Sequence, residues 1–283
     1  YLTLLKLRVV ELLIVTTIPA MFLAANGFPD LKIAVATVIG GTLAAGSANA
    51  FNMAIESDRD RLMTRTASRP TAQQVISKKN SYIFATVVGI ISLAIFQIFT
   101  NTLATLLTLF AIVFYVVGYT IILKPNTSQN IVWGGIAGCM PVLIGWAAIE
   151  NKISSIAILF FLVVFFWTPP HFWALAIKHK SDYAAADFPM LPLVAKPKSV
   201  VFQLWVHSVG MTIVSLLLIF EAQLPTWCAV ATLILVLVWK KDLLNVSKEL
   251  DTTMASKLFQ SSIVFLSVYS LILVIGALQI TNG

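Results

Sequence analysis

The chain has 283 residues, of which 59% are hydrophobic and only 11% charged, and its mean hydropathy is +0.91. That balance excludes a soluble globular fold. It also excludes a nucleic-acid binder, because the net charge of +7 is not gathered into a basic domain large enough to grip a polyanion. A spanning helix takes about 20 apolar residues, so nine spans would use roughly 180 positions and leave about 100 for loops and ends.

Apolar runs fall at approximately 9–27, 31–53, 81–100, 102–123, 130–149, 153–177, 200–220, 224–239 and 258–280. They predict an all-α polytopic membrane bundle of about nine transmembrane helices, forming one membrane-embedded domain over 1–283. Thr100, Asn101 and Thr102 barely separate the third and fourth runs, and the eighth is short unless Trp239 and Lys240 snorkel to the interface. No basic stretch, short apolar run and small-residue cleavage site opens the chain, so the first run reads as a retained span. Cys139 and Cys228 sit far apart in apolar segments and read as packing.

With the N-terminus placed on the cytoplasmic side, 17 of the 19 basic residues fall on that side, and only Lys32 and Lys152 fall outside. Cytoplasmic loops are enriched in Lys and Arg, so this is the expected orientation, with the C-terminus outside. The longer loops, roughly 54–80, 178–199 and 240–257, all lie on the cytoplasmic face. The wet chemistry is expected there.

The second run leads into Asn52-Met-Ala-Ile-Glu56-Ser-Asp58-Arg59-Asp60-Arg61-Leu-Met-Thr-Arg65-Thr-Ala-Ser-Arg69-Pro70. Asn52, Glu56 and Asp60 recur every four residues. On a helix they share one face, drifting about 40° per step with neighbours about 6 Å apart. Two carboxylates one turn apart repel, so a cation must offset them. Two readings are open. The loop arginines neutralise the pair as an interfacial salt-bridge cluster, or the pair holds Mg²⁺, which binds through one or two carboxylates plus substrate phosphates. In the second reading Arg61, Arg65 and Arg69 hold phosphate oxygens directly.

The sixth run ends Trp167-Thr-Pro169-Pro170-His171-Phe172-Trp173, followed by Lys178, Asp182-Tyr183 and Phe188-Pro-Met-Leu-Pro192. Consecutive prolines remove two backbone donors, which predicts a broken helix lining a wet or protein-buried cavity. Counting 1.5 Å per residue from Ile153 puts Pro169 about 24 Å and His171 about 27 Å in, level with Glu56 and Asp60. His171 reads either as a satisfied structural donor or as a cavity wall. Trp167, Phe172 and Trp173 read either as an interfacial belt or as faces that steady a carbocation or pack a flat macrocycle. His207 and His179 carry no such company. Asp182 and Asp187 form a second acidic patch or an ordinary solvated loop. Arg8 either pairs with Glu11 three residues on or reaches a phosphate. Tyr119, Lys124 and Asn130 bracket a short cytoplasmic loop, and Gly134, Gly135 and Gly138 read as helix packing.

Taken together, these residues resemble the haem O synthase (protohaem IX farnesyltransferase) family of the UbiA-type intramembrane prenyltransferase superfamily. The likeness runs over nearly the whole chain. It rests on Asn52 to Asp60 with Met63-Thr-Arg65-Thr66 and Arg69-Pro70, and on Tyr119-Thr120 to Lys124. Asn130-Ile-Val132 with Gly134-Gly135, and Gly145-Trp-Ala-Ala148, add to it. The most specific part is Trp167-Thr-Pro-Pro-His-Phe-Trp-Ala-Leu-Ala-Ile177, with Asp182-Tyr183 and Pro189-Met-Leu-Pro192 after it. Three departures stand out. Glu56 replaces the family's first aspartate and Ser57 the following arginine; Lys6-Leu7-Arg8 replaces lysine-proline-arginine; and Asp182 and Asp187 are five apart, where the wider superfamily has two aspartates four apart.

The resemblance implies the UbiA-type fold and transfer of farnesyl from farnesyl diphosphate to the 2-vinyl group of haem B, with water added to give haem O. It implies Asn52, Glu56, Asp60 and Asp182 as catalytic residues, with Asn52, Glu56 and Asp60 holding Mg²⁺. Arg8, Arg61, Arg65, Arg69, Lys124, Tyr119, Trp167, His171, Trp173 and Tyr183 would contact substrate. The bacterial plasma membrane is the implied location, with haem A synthase or a terminal oxidase as protein partners. Two rivals remain. A prenyltransferase acting on a quinone or chlorophyll precursor should lack the Trp-Thr-Pro-Pro-His-Phe-Trp run. A transporter should show inverted repeats and broken helices in both halves.

Overall fold

The computed structural model describes residues 1–280, apart from the side chains of Leu7, Arg8, Val9 and Leu12. Nine long helices follow one another, through short connections except for the longer segments 56–77 and 179–196: α1 Leu7–Ala24, α2 Leu31–Ile55, α3 Lys78–Phe99, α4 Thr102–Asn126, α5 Asn130–Glu150, α6 Ser155–Lys178, α7 Pro197–Glu221, α8 Thr226–Lys248 and α9 Thr252–Ile280. No strand occurs among the described residues. Seven of them, α2 to α7 and α9, are long and apolar enough to cross a membrane, and the described part of α1 is apolar over Leu13–Ala24. In α8 the second half carries Lys240, Lys241 and Asp242. It continues as helix to Lys248, nine residues past the end of the apolar run, because a helix end reaching water needs no apolar side chains.

Local chemistry sets the boundaries. Asp30, Ser77, Asn101 and Ser154 each accept a backbone N–H from the first turn of the helix that follows. Pro197 opens α7, where its missing N–H costs nothing. Asn26 and Asn151, at φ 47° and 50°, end α1 and α5 in the left-handed region that asparagine tolerates. At that end of the bundle the Asn101 amide also donates to Ala147 O at 2.7 Å, tying α4 to α5.

Small and hydroxylated residues bring the helices together. Ser92 donates to Gly40 O at 2.6 Å and Ser47 to Ala85 O at 2.7 Å, so α2 and α3 exchange a bond in each direction. On the other side, Phe160, Trp173, Trp239, Phe265 and Tyr269 fill the space among α6, α7, α8 and α9. That half of the molecule is solid. The half bounded by α1, α2, α4, α5 and α6 encloses a cavity of about 370 Å³.

Two helices depart from expectation. The break expected at Pro169-Pro170 does not occur, since α6 runs continuously from Ser155 to Lys178. The prolines' missing donors free carbonyls one turn back. Beside them the Thr168 hydroxyl donates to Val164 O at 2.7 Å, and α5 and α7 pack closely against the segment, so the helix continues through both prolines. The irregular helix is α4. From Phe114 to Leu123 it widens into π turns: the Lys124 N–H reaches Tyr119 O, five residues back, and the Thr120 hydroxyl donates to Tyr115 O at 2.9 Å.

Candidate active site

The cavity has a charged mouth and an apolar interior. Lys6, Asn52, Glu56, Arg65, Arg69, Lys124, Tyr119 and Tyr183 line the mouth. Further in, the walls are Val10, Leu13, Ala45, Ala48, Ile131, Val164, Trp167 and Leu266, and the cavity reaches Thr37 and Ile144 at its far end. On α2 it extends from Glu56 to Thr37, which at 1.5 Å per residue is about 28 Å, most of a hydrocarbon core. Added Cβ atoms at Gly41 and Gly138 would meet nothing within 4 Å, so both positions border open space.

α2 delivers the acidic face. It ends at Ile55, Glu56 caps it, and a further turn, Ser57–Asp60, keeps the Asp60 N–H on Glu56 O at 2.8 Å. Asn52, Glu56 and Asp60 therefore stay on one face and are all buried. Each is matched to its own donor. Lys124 Nζ lies 2.5 and 2.6 Å from the two Glu56 oxygens. Arg69 Nη1 lies 2.7 and 2.8 Å from those of Asp60. Lys6 Nζ donates to Asn52 Oδ1 at 3.0 Å, while the Asn52 amide donates to Thr120 Oγ1 at 3.2 Å. Asp58 faces away and pairs with Lys78 at 2.7 Å and Arg61 at 3.8 Å.

The π turns of α4 place the basic half of this arrangement. Tyr115, Tyr119 and Lys124 all face the cavity from this segment. Tyr119 fits because residue 134 is glycine: a Cβ there would stand 2.2 Å from the ring. Lys124 also lies 4.4 Å from the centre of the Phe188 ring, and Arg59 lies 4.8 Å from the same ring. Burial lowers Lys6 from its ordinary value to about 7; Arg69 and Lys124 push the same way, and Glu56 and Asp60 oppose them.

Not every expected contact reaches the cavity. Asp60 is wholly buried behind Arg69. Arg61 donates from Nε to Ala72 O at 2.8 Å and does not line the cavity. His171 is stacked between Trp167 at 4.3 Å and Phe259 at 4.6 Å. Its Nδ1 lies 2.7 Å from Ser262 Oγ. The Ser262 hydroxyl also lies 2.6 Å from Phe259 O. Trp173 stands edge-on to His207 and also lies off the cavity. Trp167 does line it, with its indole N–H bonded to Ser262 O at 2.8 Å. The Arg8 side chain lies outside the described residues.

Asp182 lies elsewhere again. Its Oδ1 accepts the Thr64 N–H and its Oδ2 the Arg65 N–H, both at 3.1 Å. Burial works against its charge, but the two N–H groups, the Thr64 side chain and the Arg65 charge together hold the carboxyl below its ordinary value. Next to it Tyr183 does face the cavity, with the Arg65 guanidinium 5.9 Å from its ring centre.

The oxygen donors at the mouth suit a hard cation such as Mg²⁺. Among the described residues no three His, Cys, Asp or Glu side chains converge, so such an ion must complete its shell with water and substrate oxygens. Four cations, Lys6, Arg65, Arg69 and Lys124, surround two carboxylates. The surplus positive charge fits a diphosphate, and the long apolar interior fits an isoprenoid chain.

A charged mouth opening on an intramembrane apolar chamber is the arrangement of a prenyl-transferring membrane enzyme, and the chain belongs to the UbiA prenyltransferase family, whose model matches residues 13–276. It is 48% identical over 235 residues to Protoheme IX farnesyltransferase 1 of Saccharopolyspora erythraea, covering 83% of this chain and 74% of that one. Among solved structures, digeranylgeranylglyceryl phosphate synthase superposes with a TM-score of 0.79 at 17% identity over 99% and 98% of the two chains. A UbiA homologue from Archaeoglobus fulgidus bound to GPP and Mg²⁺ superposes at 0.69 and 15% identity over 96% and 98%. At those identities the likeness is one of fold.

Of the residues around the mouth, Lys6 and Thr120 entered the sequence reading only within Lys6-Leu7-Arg8 and Tyr119-Thr120, and Tyr115 carried no signal of its own. Ser262, one serine in an apolar run, carried none.

Proposed function

We propose that this protein transfers the farnesyl group of farnesyl diphosphate to the 2-vinyl group of haem B, with addition of water, releasing diphosphate and forming haem O. The observation that carries the proposal is the cavity itself, cationic at one end, apolar and aromatic beyond, in a chain 48% identical to a named protohaem IX farnesyltransferase.

The diphosphate lies at the mouth against Lys6, Arg65, Arg69 and Lys124; Arg65 holds the donor in place, and Lys6, Arg69 and Lys124 take up negative charge as the bond from C1 to oxygen breaks and its electron pair leaves with diphosphate. Mg²⁺ would be held by Glu56 and Asn52, with Asp60 behind them, and would supply further charge neutralisation at the leaving group. The ring faces of Tyr115, Tyr119 and Trp167 line the path of the allylic cation and shelter it from water. C1 bonds to the terminal vinyl carbon of haem, the positive charge passes to the carbon beside the porphyrin, and water adds there and loses a proton. The basic end of the bundle faces the cytoplasm, which brings water-soluble diphosphate back to that side.

The test is to incubate the purified protein in lipid with haem B, farnesyl diphosphate and Mg²⁺ and analyse the haem by chromatography and mass spectrometry. A metal-dependent haem product heavier by a farnesyl and a hydroxyl group is expected. Diphosphate release on a quinone or other aromatic acceptor, with haem unchanged, would move the protein to another branch of the family. Asp60→Asn should lose turnover while remaining folded in the membrane; full activity in that variant would remove the acidic face from the mechanism.

A further inference from the structure

Resting on the function just proposed, the geometry assigns Asp182 to a positioning role: it fixes the backbone of Thr64 and Arg65 so that the Arg65 guanidinium is set over the mouth of the cavity for the donor's diphosphate. Four observations carry this. Both Asp182 oxygens are engaged, one by each of two successive N–H groups, across 117 and 118 residues of sequence. The carboxylate is buried but does not border the cavity, whereas Arg65, whose N–H it holds, and Tyr183, its neighbour, both do. The Arg65 guanidinium lies against the Tyr183 ring, so one segment holds this arginine at both ends. Finally, Arg59 and Lys124 lie against the Phe188 ring, so the segment carrying Asp182 meets the arginine loop at a second point.

Without the carboxylate, two adjacent N–H groups lose their acceptors, and an arginine on a long stem loses its fixed base. The diphosphate is then held by a mobile cation. Binding of the donor suffers, while the groups that act on the breaking bond stay in place.

Three proteins test the assignment in lipid: Asp182→Ala, Arg65→Ala and the double variant. Each single change is expected to raise KM for farnesyl diphosphate about tenfold with kcat within about threefold. The double variant should be no worse than either single one, because Asp182 acts through Arg65. The Mg²⁺ concentration giving half-maximal rate should not move in Asp182→Ala. Asp182→Asn keeps one acceptor oxygen and should fall between parent and alanine. Independently of turnover, limited trypsin digestion should cleave after Arg65 faster in Asp182→Ala than in the parent; Arg69 precedes Pro70 and resists trypsin.

Multiplying KM effects in the double variant, or a shift in the Mg²⁺ requirement, would overturn the assignment by showing that Asp182 acts on metal or substrate separately from Arg65. So would unchanged cleavage after Arg65. A parent protein inactive on haem would defeat the proposed function and leave the digestion to decide the role of Asp182 alone.

Discussion

Lys124→Met isolates the strongest electrostatic contact at the mouth. Lys124 and Glu56 lie 2.5 Å apart with side chains 11% and 4% exposed, on helices 68 residues apart in sequence. Removing one partner of a buried pair leaves an uncompensated charge and costs about 3–5 kcal/mol, whereas replacing both partners with neutral groups costs far less. The cavity beside the pair admits water, which places the loss at the lower end, about 3 kcal/mol. That corresponds to a fall of about 6–12 °C in the thermal midpoint. The assay is tryptophan fluorescence on heating the protein in lipid, for Lys124→Met, Glu56→Gln and the double variant. The double variant should recover most of the loss, and Mg²⁺ with inorganic diphosphate should raise the Lys124→Met midpoint more than the parent's. A single variant within 1 kcal/mol of the parent, or a double variant no better than the single, would refute the reasoning.

Gly134→Ala puts a methyl where the Tyr119 ring now stands, 2.2 Å from Cδ2, and overpacking of that kind costs about 1–3 kcal/mol. A lower melting midpoint with a raised KM for the donor is expected, and an unchanged protein would show that the ring has room to move. Lys6 carries a proton below pH 7 and loses it above, so its attraction for diphosphate fades as pH rises through about 7. KM for farnesyl diphosphate should climb across that range in the parent, more steeply than in Lys6→Met; parallel profiles would discount the lysine. His171→Ala should leave the absorption spectrum of bound haem unaltered, because the ring is stacked between Trp167 and Phe259 and does not line the cavity. An altered Soret band would put haem against this histidine.

The spans were legible because lipid imposes the same demand on every helix that crosses it, and nearly all connecting segments carry unmistakable polar residues. The acidic face was legible as well, since a period of four survives the break at Glu56 between α2 and the short helical turn Ser57–Asp60. The double proline misled, because a proline's effect depends on what the neighbours offer. Here Thr168 and close packing let α6 continue through both of them. The π segment escaped notice: Phe114 to Leu123 is as apolar as any α-helix, and only the pairing of carbonyls five residues apart distinguishes it. Partner choice was equally hidden. Lys124, Arg61, Arg65 and Arg69 look alike in sequence, yet one holds Glu56, one holds Asp60, one lies against Tyr183 and one is spent on a backbone carbonyl.

The widened turns of α4 also make the site sensitive to a kind of change that point substitution does not sample. A bond from residue i to i+5 encloses one residue more than an α turn does. If the stretch from Phe114 to Leu123 rewound as ordinary α-helix at unchanged length, everything beyond it would swing by about 100° around the axis. Lys124 would turn off Glu56 and Tyr119 out of the notch left by Gly134, with hydropathy and helix length almost unchanged. In this chain the winding of α4 is therefore part of the chemistry, as much as the identity of the lysine at its end.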